Sequence, residues 1–343
     1  MTPNASHSNL PAAPQRRRLA AVCALGLSLG LGLLPALASA QGAASYPERP
    51  VTLVVPFPPG GGTDTGARLI AQRLGQKWGK SVIVENKAGA AGVIGADFVA
   101  KAKADGYTLL FGNIGTQAIN PSLYKNLPYA PDTAFAPITL VAELPLVMLV
   151  NAQVPAKTVE EFIALAKAKP DGMSYSTSGA GSSMHLAAEM FKSGTGTSVL
   201  HVPYRGGGPA VADLIAGHVQ LSFATVLESS GHLKAGKVRA LAVTGKTRVP
   251  ALPHVPTLAE SAVPDFNSIS WIGLLAPAGT PKDVVEKIAV DVRQVLASDE
   301  VKARLAELGA LPVGNSPDAF AKLMANDRKR YAQIIADKNI QVD

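Results

Sequence analysis

From residue 51 onward, short apolar runs alternate with amphipathic stretches. Val51–Val55 is a run of β-branched and aliphatic residues, the pattern of a strand buried on both faces. Pro56, Pro58 and Pro59 end it, because proline cannot donate to a sheet ladder. Gly60, Gly61 and Gly62 let the backbone turn tightly and leave its N–H groups uncovered. Ala67, Leu69, Ile70, Ala71 and Leu74 then recur at helical spacing, with Thr63 or Asp64 placed to cap the helix. A second strand over 81–85 runs into the glycine-rich stretch 86–95 and a helix reaching about Lys103. A third strand over 108–113 precedes a helical turn over 114–120, ended by Pro121. Strands and helices alternating at this spacing predict a parallel, doubly wound α/β sheet.

The pattern then changes. The apolar stretch 136–150 is too long for one ordinary strand and reads as two, broken near Glu143–Pro145 at a crossing between domains. A second unit follows: helix 158–168, strand 173–177, Ser178-Gly-Ala-Gly-Ser-Ser-Met-His185 opening a helix, and strand 198–204. Arg205-Gly-Gly-Gly-Pro209 opens another helix, before strand 219–225, a helix to about Lys234 and strand 238–245. After a proline-rich loop, the apolar strand 268–277 is expected to cross back. The tail is helical over 282–297, 299–308 and 317–337, with Val284, Val285, Ile288 and Val292 on one face. Each half thus carries two glycine-rich strand-to-helix junctions. Free amides and the helix dipole make such a junction an anion seat, and in open α/β sheets ligands gather beyond the carboxyl ends of strands. Two facing sheets would place four helix N-termini around one cleft.

The chain has 343 residues, a two-domain length, and 47% apolar residues, ample for real cores. Three arginines at 16–18, an apolar run over 19–34 and Ala38-Ser-Ala40 form a secretory signal pattern, cut after Ala40. The apolar run is too short, and too soon followed by Pro35, for a permanent span. The single cysteine, Cys23, lies inside it, so the chain beyond the cut has no disulfide, thiolate metal site or cysteine nucleophile. The net charge of +7 includes those three arginines and no acid in 1–40, leaving +4 for the remainder. That charge is spread out, without a basic block or basic–aromatic interleaving, which argues against a nucleic-acid partner and suits a small anionic ligand. Gly60-Gly-Gly62 lacks the lysine and Ser/Thr ending of a P-loop, and neither Gly-x-Ser-x-Gly nor His-Glu-x-x-His occurs. Histidines 185, 201, 218, 232 and 254 show no metal-ligand spacing, and Ser182 with His185 lacks an oriented acid. No catalytic residue, metal site or cofactor is expected from these patterns.

Five stretches in order carry a resemblance: Pro56-Phe-Pro-Pro-Gly-Gly-Gly-Thr-Asp64, Ser178-Gly-Ala-Gly-Ser182 with His185, Val202-Pro-Tyr-Arg-Gly-Gly-Gly-Pro-Ala210, Leu241-Ala-Val-Thr244 with Pro256-Thr-Leu-Ala-Glu260, and Trp271-Ile-Gly-Leu-Leu-Ala-Pro-Ala-Gly-Thr-Pro281. Together they resemble the tripartite tricarboxylate transporter substrate-binding proteins, the TctC or Bug family of the periplasmic-binding-protein superfamily. The matches run from Tyr46-Pro47 to the C-terminal helices. The resemblance implies a type II fold, two lobes joined by a two-strand hinge and closing on a small organic carboxylate in the periplasm. Family ligands include di- and tricarboxylates, acidic amino acids and aromatic acids, delivered to integral-membrane permease subunits. The alternative is a sensor presenting bound solute to a receptor kinase, which the same cleft would serve. The expected lobes are 41–142 with 266–343, and 143–265. Two departures stand out: Asn86-Lys87-Ala88-Gly89 where the family often has Asn-Arg-Pro-Gly, and Gln220 where it often has an acid.

The resemblance implies that the loop after the first strand and its second-domain counterpart grip the carboxylate through backbone groups. Candidate ligand contacts in the first lobe are Phe57, Pro59, Gly60, Gly61, Thr63 and Asp64, then Gly89 and Ala90, then Asn113 and Thr116. In the second they are Ser178, Ala180, Gly181, Ser182 and His185, then Tyr204, Arg205 and Gly206. Each competes with a plainer role. Asp64 could hold a ligand amine or cap its own helix. His185, one turn into a helix, could touch ligand or be packed. The fork of Arg205 suits a carboxylate but could serve a salt bridge. Trp271 reads as packing at the hinge.

Overall fold

The computed structural model describes residues 45–307, 309–337 and 340–341; the expected signal segment 1–40, with Cys23 and the expected cut after Ala40, lies outside the described residues. The first half runs β1 (Val51–Val55), α1 (Gly62–Trp78), β2 (Val82–Asn86), α2 (Val93–Ala100) and β3 (Thr108–Asn113). Strands β2, β1 and β3 lie side by side in parallel, as the alternation predicts. Two local readings are corrected. Helix α2 ends at Ala100 and is entered through a 3₁₀ turn over Ala90–Gly92, where Ala90 and Ala91 take left-handed φ values of 45° and 50°. Pro121 does not end the turn after β3. A π-helical turn over Gly115–Ile119 continues into α3 (Asn120–Leu123), whose first turn accepts a proline because an N–H there has no helical partner anyway.

The larger correction is β4 (Phe135–Asn151), one strand of 17 residues where the pattern predicts two. It is followed by α4 (Val159–Ala168), β5 (Ser174–Thr177), α5 (Ser183–Thr195), β6 (Leu200–Pro203), α6 (Gly207–Ala216), β7 (Leu221–Thr225), α7 (Val226–Lys234) and β8 (Val238–Val243). The chain then returns through β9 (Ile269–Pro277) to α8 (Lys282–Ala297), α9 (Asp299–Glu307), β10 (Leu311–Pro312) and α10 (Pro317–Asp337). Phe135 to Pro145 pair antiparallel with β9, whereas Leu146 to Asn151 pair with β7 and β8. Pro145 therefore sits where the strand changes partners. The next amide, Leu146 N–H, is met by a side chain, donating to Thr244 Oγ at 3.0 Å. A proline is tolerated where the ladder is being handed over. The strands run β2-β1-β3-β9-β4-β7-β5-β6, two doubly wound sheets sharing one long strand.

Side-chain alternation sorts the strands onto both faces of each sheet, as strands covered on two sides require. Leu53 and Val55 face α1 and α8, whose Val284, Val285, Ile288 and Val292 share the expected stripe, while Val54 faces α2 and α10. In the second sheet Leu146, Met148 and Val150 join one core and Val147 and Leu149 the other. Trp271 is buried, packs edge-on against Phe320 at 5.3 Å and donates its Nε1–H to Asp327 at 2.7 Å. The crossing strand is thereby locked to α10. Gln220 also has a structural post: its Oε1 accepts from Ser174 N–H at 3.0 Å, tying β5 to the start of β7. Among the described residues no helix is long and apolar enough to cross a membrane.

Gly273, on β9, has no room for a side chain. A Cβ there would lie 2.2 Å from Cζ of the buried Phe320 ring. Overpacking of this kind typically costs about 1–3 kcal/mol. Gly273→Ala should lower the urea midpoint correspondingly, and an unchanged midpoint would mean that α10 shifts freely on the crossing strand.

Candidate functional site

The glycine junctions of both sheets open onto one cleft made of two connecting chambers. The outer chamber, about 740 Å³, is bounded by Phe57 and Pro58, the loop Ala88 to Gly92, Asn113, Asn120 and Tyr124 on one side. Ser178 to Ser183 and Pro203 to Gly206 close the other. The inner chamber, about 300 Å³, lies between the N-termini of α1 and α6 and is bounded by Pro59 to Thr63, Gly207, Gly208, Thr225 and Glu228. Phe57, Asn113, Ser178, Arg205 and Gly206 border both. Volumes of this order suit small ligands.

Most of the candidates named from the sequence border this cleft: Phe57, Pro59, Gly60, Gly61, Thr63, Gly89, Ala90, Asn113, Ser178, Ala180, Gly181, Ser182, Tyr204, Arg205 and Gly206. Asp64, Thr116 and His185 stand behind its wall, and each shapes a loop. Asp64 does not cap α1, nor does Thr63; Gly61 is the N-cap and offers no side chain. Asp64 lies in the first turn, where its Oδ2 accepts from Gly60 N–H at 2.9 Å and from Arg68 Nε at 3.0 Å. Its Oδ1 accepts from Asn86 Nδ2 at 2.9 Å. Burial pushes its carboxyl up, yet Arg68, the Gly60 amide and Asn86 hold it below the ordinary value. His185 repeats the device in the other lobe: its Nδ1 accepts from Gly181 N–H at 3.1 Å. In both loops the acceptor is the fourth residue beyond the amide. Thr116 exchanges hydrogen bonds with Asn113, whose Oδ1 accepts from Thr116 N–H at 3.1 Å, and so fixes the end of β3.

The anion seat is therefore narrower than glycine content suggests. Gly60 and Gly181 amides are taken by side chains, and Ser182 N–H donates to Gly179 O at 3.2 Å. Among the described residues the amides of Gly61, Ala180, Gly206 and Gly208 meet no partner. Ser182 Oγ accepts from His185 N–H at 3.2 Å and so acts as the cap of α5. Tyr204 lines the outer chamber with its hydroxyl turned away, donating to Asp213 Oδ2 at 2.6 Å. Arg205 is exposed at the boundary of the chambers and makes no ion pair or hydrogen bond among the described residues. Lys87 directs its cation elsewhere, to Glu85 at 2.6 Å and over the Phe98 ring. Sequence reasoning missed Asn120, Tyr124, Ser183 and Glu228. The last had a signal: Thr225-x-x-Glu228 after a strand is a capping box, and both of its hydrogen bonds are formed.

Behind the second-lobe loop, His185 and His201 stack at 4.1 Å, with Tyr175 against His201 at 4.9 Å. Burial lowers the pKa of both; that of His201 falls to about 4, with His185 beside it adding repulsion. An unfolded chain, with histidine near pH 6.5, binds more protons than the folded one across this range. Stability from the stack should be complete above about pH 6.5 and be lost as pH falls towards about 4. Denaturant midpoints measured between pH 7 and 4.5 should fall, and His201→Phe, which keeps a ring in the stack, should make that fall shallower. Identical slopes would show that the pair titrates normally.

The family described as "Tripartite tricarboxylate transporter family receptor" (TctC) matches residues 66–340. Protein BugT of Bordetella pertussis is 36% identical over 302 residues, covering 88% of this chain and 93% of BugT. The R. palustris protein Rpa4515 with adipate superposes with a TM-score of 0.84 at 39% identity, covering 86% of this chain and 99% of that one. MatC (Rpa3494) from Rhodopseudomonas palustris with bound malate gives a TM-score of 0.79 at 34% identity, covering 84% and 100%. With two sheets sharing a crossing strand and glycine loops facing one cleft, the chain belongs to the TctC receptor family of Bug-type periplasmic solute-binding proteins.

Proposed function

We propose that the cleft captures a small organic carboxylate by closure of the two lobes and that the protein delivers it to a membrane permease of a tripartite tricarboxylate transporter. The observation that carries this reading is Arg205, a guanidinium at the cleft that is unpaired among the described residues and lies beside glycine-loop amides that likewise have no partner among them. Donors of this kind suit a carboxylate, with the fork of the arginine able to bind it in two places. Adipate and malate in the two structural relatives support the same chemistry. The lobes that move are 41–142 with 266–343 against 143–265, rotating about β4 and β9. Ligand that bridges both lobes only when they are closed shifts the population towards that state. The chain would reach the periplasm through a signal peptide removed after Ala40. The relatives lend no support to a sensor kinase as partner.

The test begins with protein unfolded and refolded to strip bound solute, then thermal unfolding against di- and tricarboxylates, acidic amino acids and aromatic acids. An acid present at about 100 times its dissociation constant should stabilise the fold by about 2.7 kcal/mol. Arg205→Ala should weaken that acid about ten- to hundredfold by calorimetry, the range of a lost charge-assisted hydrogen bond. Refolded protein that answers to no acid would refute carboxylate capture.

A further inference from the structure

Glu228, in the first turn of α7, brings a carboxylate of the protein itself into the inner chamber. Its Oε2 is held by Thr225, accepting from the backbone N–H at 3.1 Å and from the hydroxyl at 2.8 Å. The other oxygen looks across the chamber. A Cβ on Gly207 would lie 2.1 Å from Oε1, and one on Gly61 3.9 Å from it. The carboxylate thus occupies the gap between the N-termini of α1 and α6, the place the glycine junctions otherwise offer to an anion. The Gly62 amide of the first lobe donates to it as well. Among the described residues Arg205 is the only basic one lining the chamber, and it stands at the boundary with the outer one. The cleft is therefore divided: Arg205 and the amides of Ala180 and Gly206 border the outer chamber, whereas the inner one sets the Glu228 carboxylate beside the amides of Gly61 and Gly208.

We infer that Glu228 is a specificity-determining residue: it reserves the inner chamber for a ligand end that donates hydrogen bonds, above all an ammonium group, and turns away a second carboxylate. This rests on the carboxylate reading above and narrows it to acids whose far end is a donor. A carboxylate placed between α1 and α6 would meet Glu228 at close range inside a small chamber, where two like charges cannot both stay ionised without penalty. An ammonium there would instead neutralise Glu228, while the ligand's own carboxylate meets Arg205 and the amides of Ala180 and Gly206. Burial already pushes the Glu228 carboxyl above the ordinary range, against the Thr225 and Gly62 donors, so a positive partner would be welcome.

Pairs of probes matched in length separate the possibilities: adipate against 6-aminohexanoate, and glutarate against 5-aminopentanoate. On refolded, solute-free wild type, calorimetry should show the amino acid of each pair binding at least tenfold more tightly than its dicarboxylate. Glu228→Gln keeps the shape and most hydrogen bonds, and should collapse that ratio at least tenfold by strengthening the dicarboxylate and weakening the amino acid. Dicarboxylates binding wild type as well as their amino partners would overturn the role of Glu228 while leaving carboxylate capture intact; so would a variant ratio equal to that of wild type. Failure of every probe and of the wider acid panel would take down the carboxylate reading and this inference with it. The wild-type ratio needs no variant, so a poorly folding Glu228→Gln would still leave a decisive measurement.

Discussion

Both sheets hang on the pairing of β4 with β9. A strand of 17 residues gives its first part to one sheet and its last part to the other, and β9 runs beside the handover. Every buried backbone group must find a partner, and at the handover this is achieved by side chains. Thr244 Oγ receives the Leu146 amide and in turn donates to Ser268 O at 2.5 Å, so three segments meet at one hydroxyl. With the two sheets fixed to a common strand, their carboxyl ends face one another, and the glycine junctions converge without any loop reaching far.

Much of this was legible in the chain because its signals are local. Runs such as Val51–Val55 followed by prolines and glycines announce a strand and a junction, and the spacing of Val284, Val285, Ile288 and Val292 announces a buried helix face. The break expected at Pro145 was not there, because a proline interrupts a strand only where its missing N–H was needed by a neighbour. At a change of partners it was not needed. Gln220 looked like a lost charge at the site and proved to be a clasp between β5 and β7. No pattern along one strand records which residue lies across the sheet.

The site was legible by place more than by chemistry. Glycine loops mark where the backbone is bare, but they cannot tell which amides a side chain will claim. Asp64 was expected to hold a ligand amine or cap its helix, and instead claims an amide of its own loop; His185, expected to touch ligand or be packed, is packed and claims a loop amide likewise. Glu228 escaped notice because it reads as an ordinary helix-opening acid, and its place in the cleft depends on a fold that sets Gly61 and Gly207 opposite it. The mild positive charge of the chain likewise said nothing of how the cleft divides its charge between Arg205 and Glu228.

The matching ties from Gly60 to Asp64 and from Gly181 to His185 make each glycine loop one body with the first turn of the helix behind it. A loop built in this way does not stiffen when solute arrives, since its shape is already held from the rear. Recognition in this cleft is therefore adjustable from positions that never meet the solute. A change in what holds Asp64, such as Arg68 or Asn86, would act on the donors of the loop without changing the identity of any lining residue. Relatives with the same lining could then prefer different acids, and a comparison of lining residues alone would not reveal why.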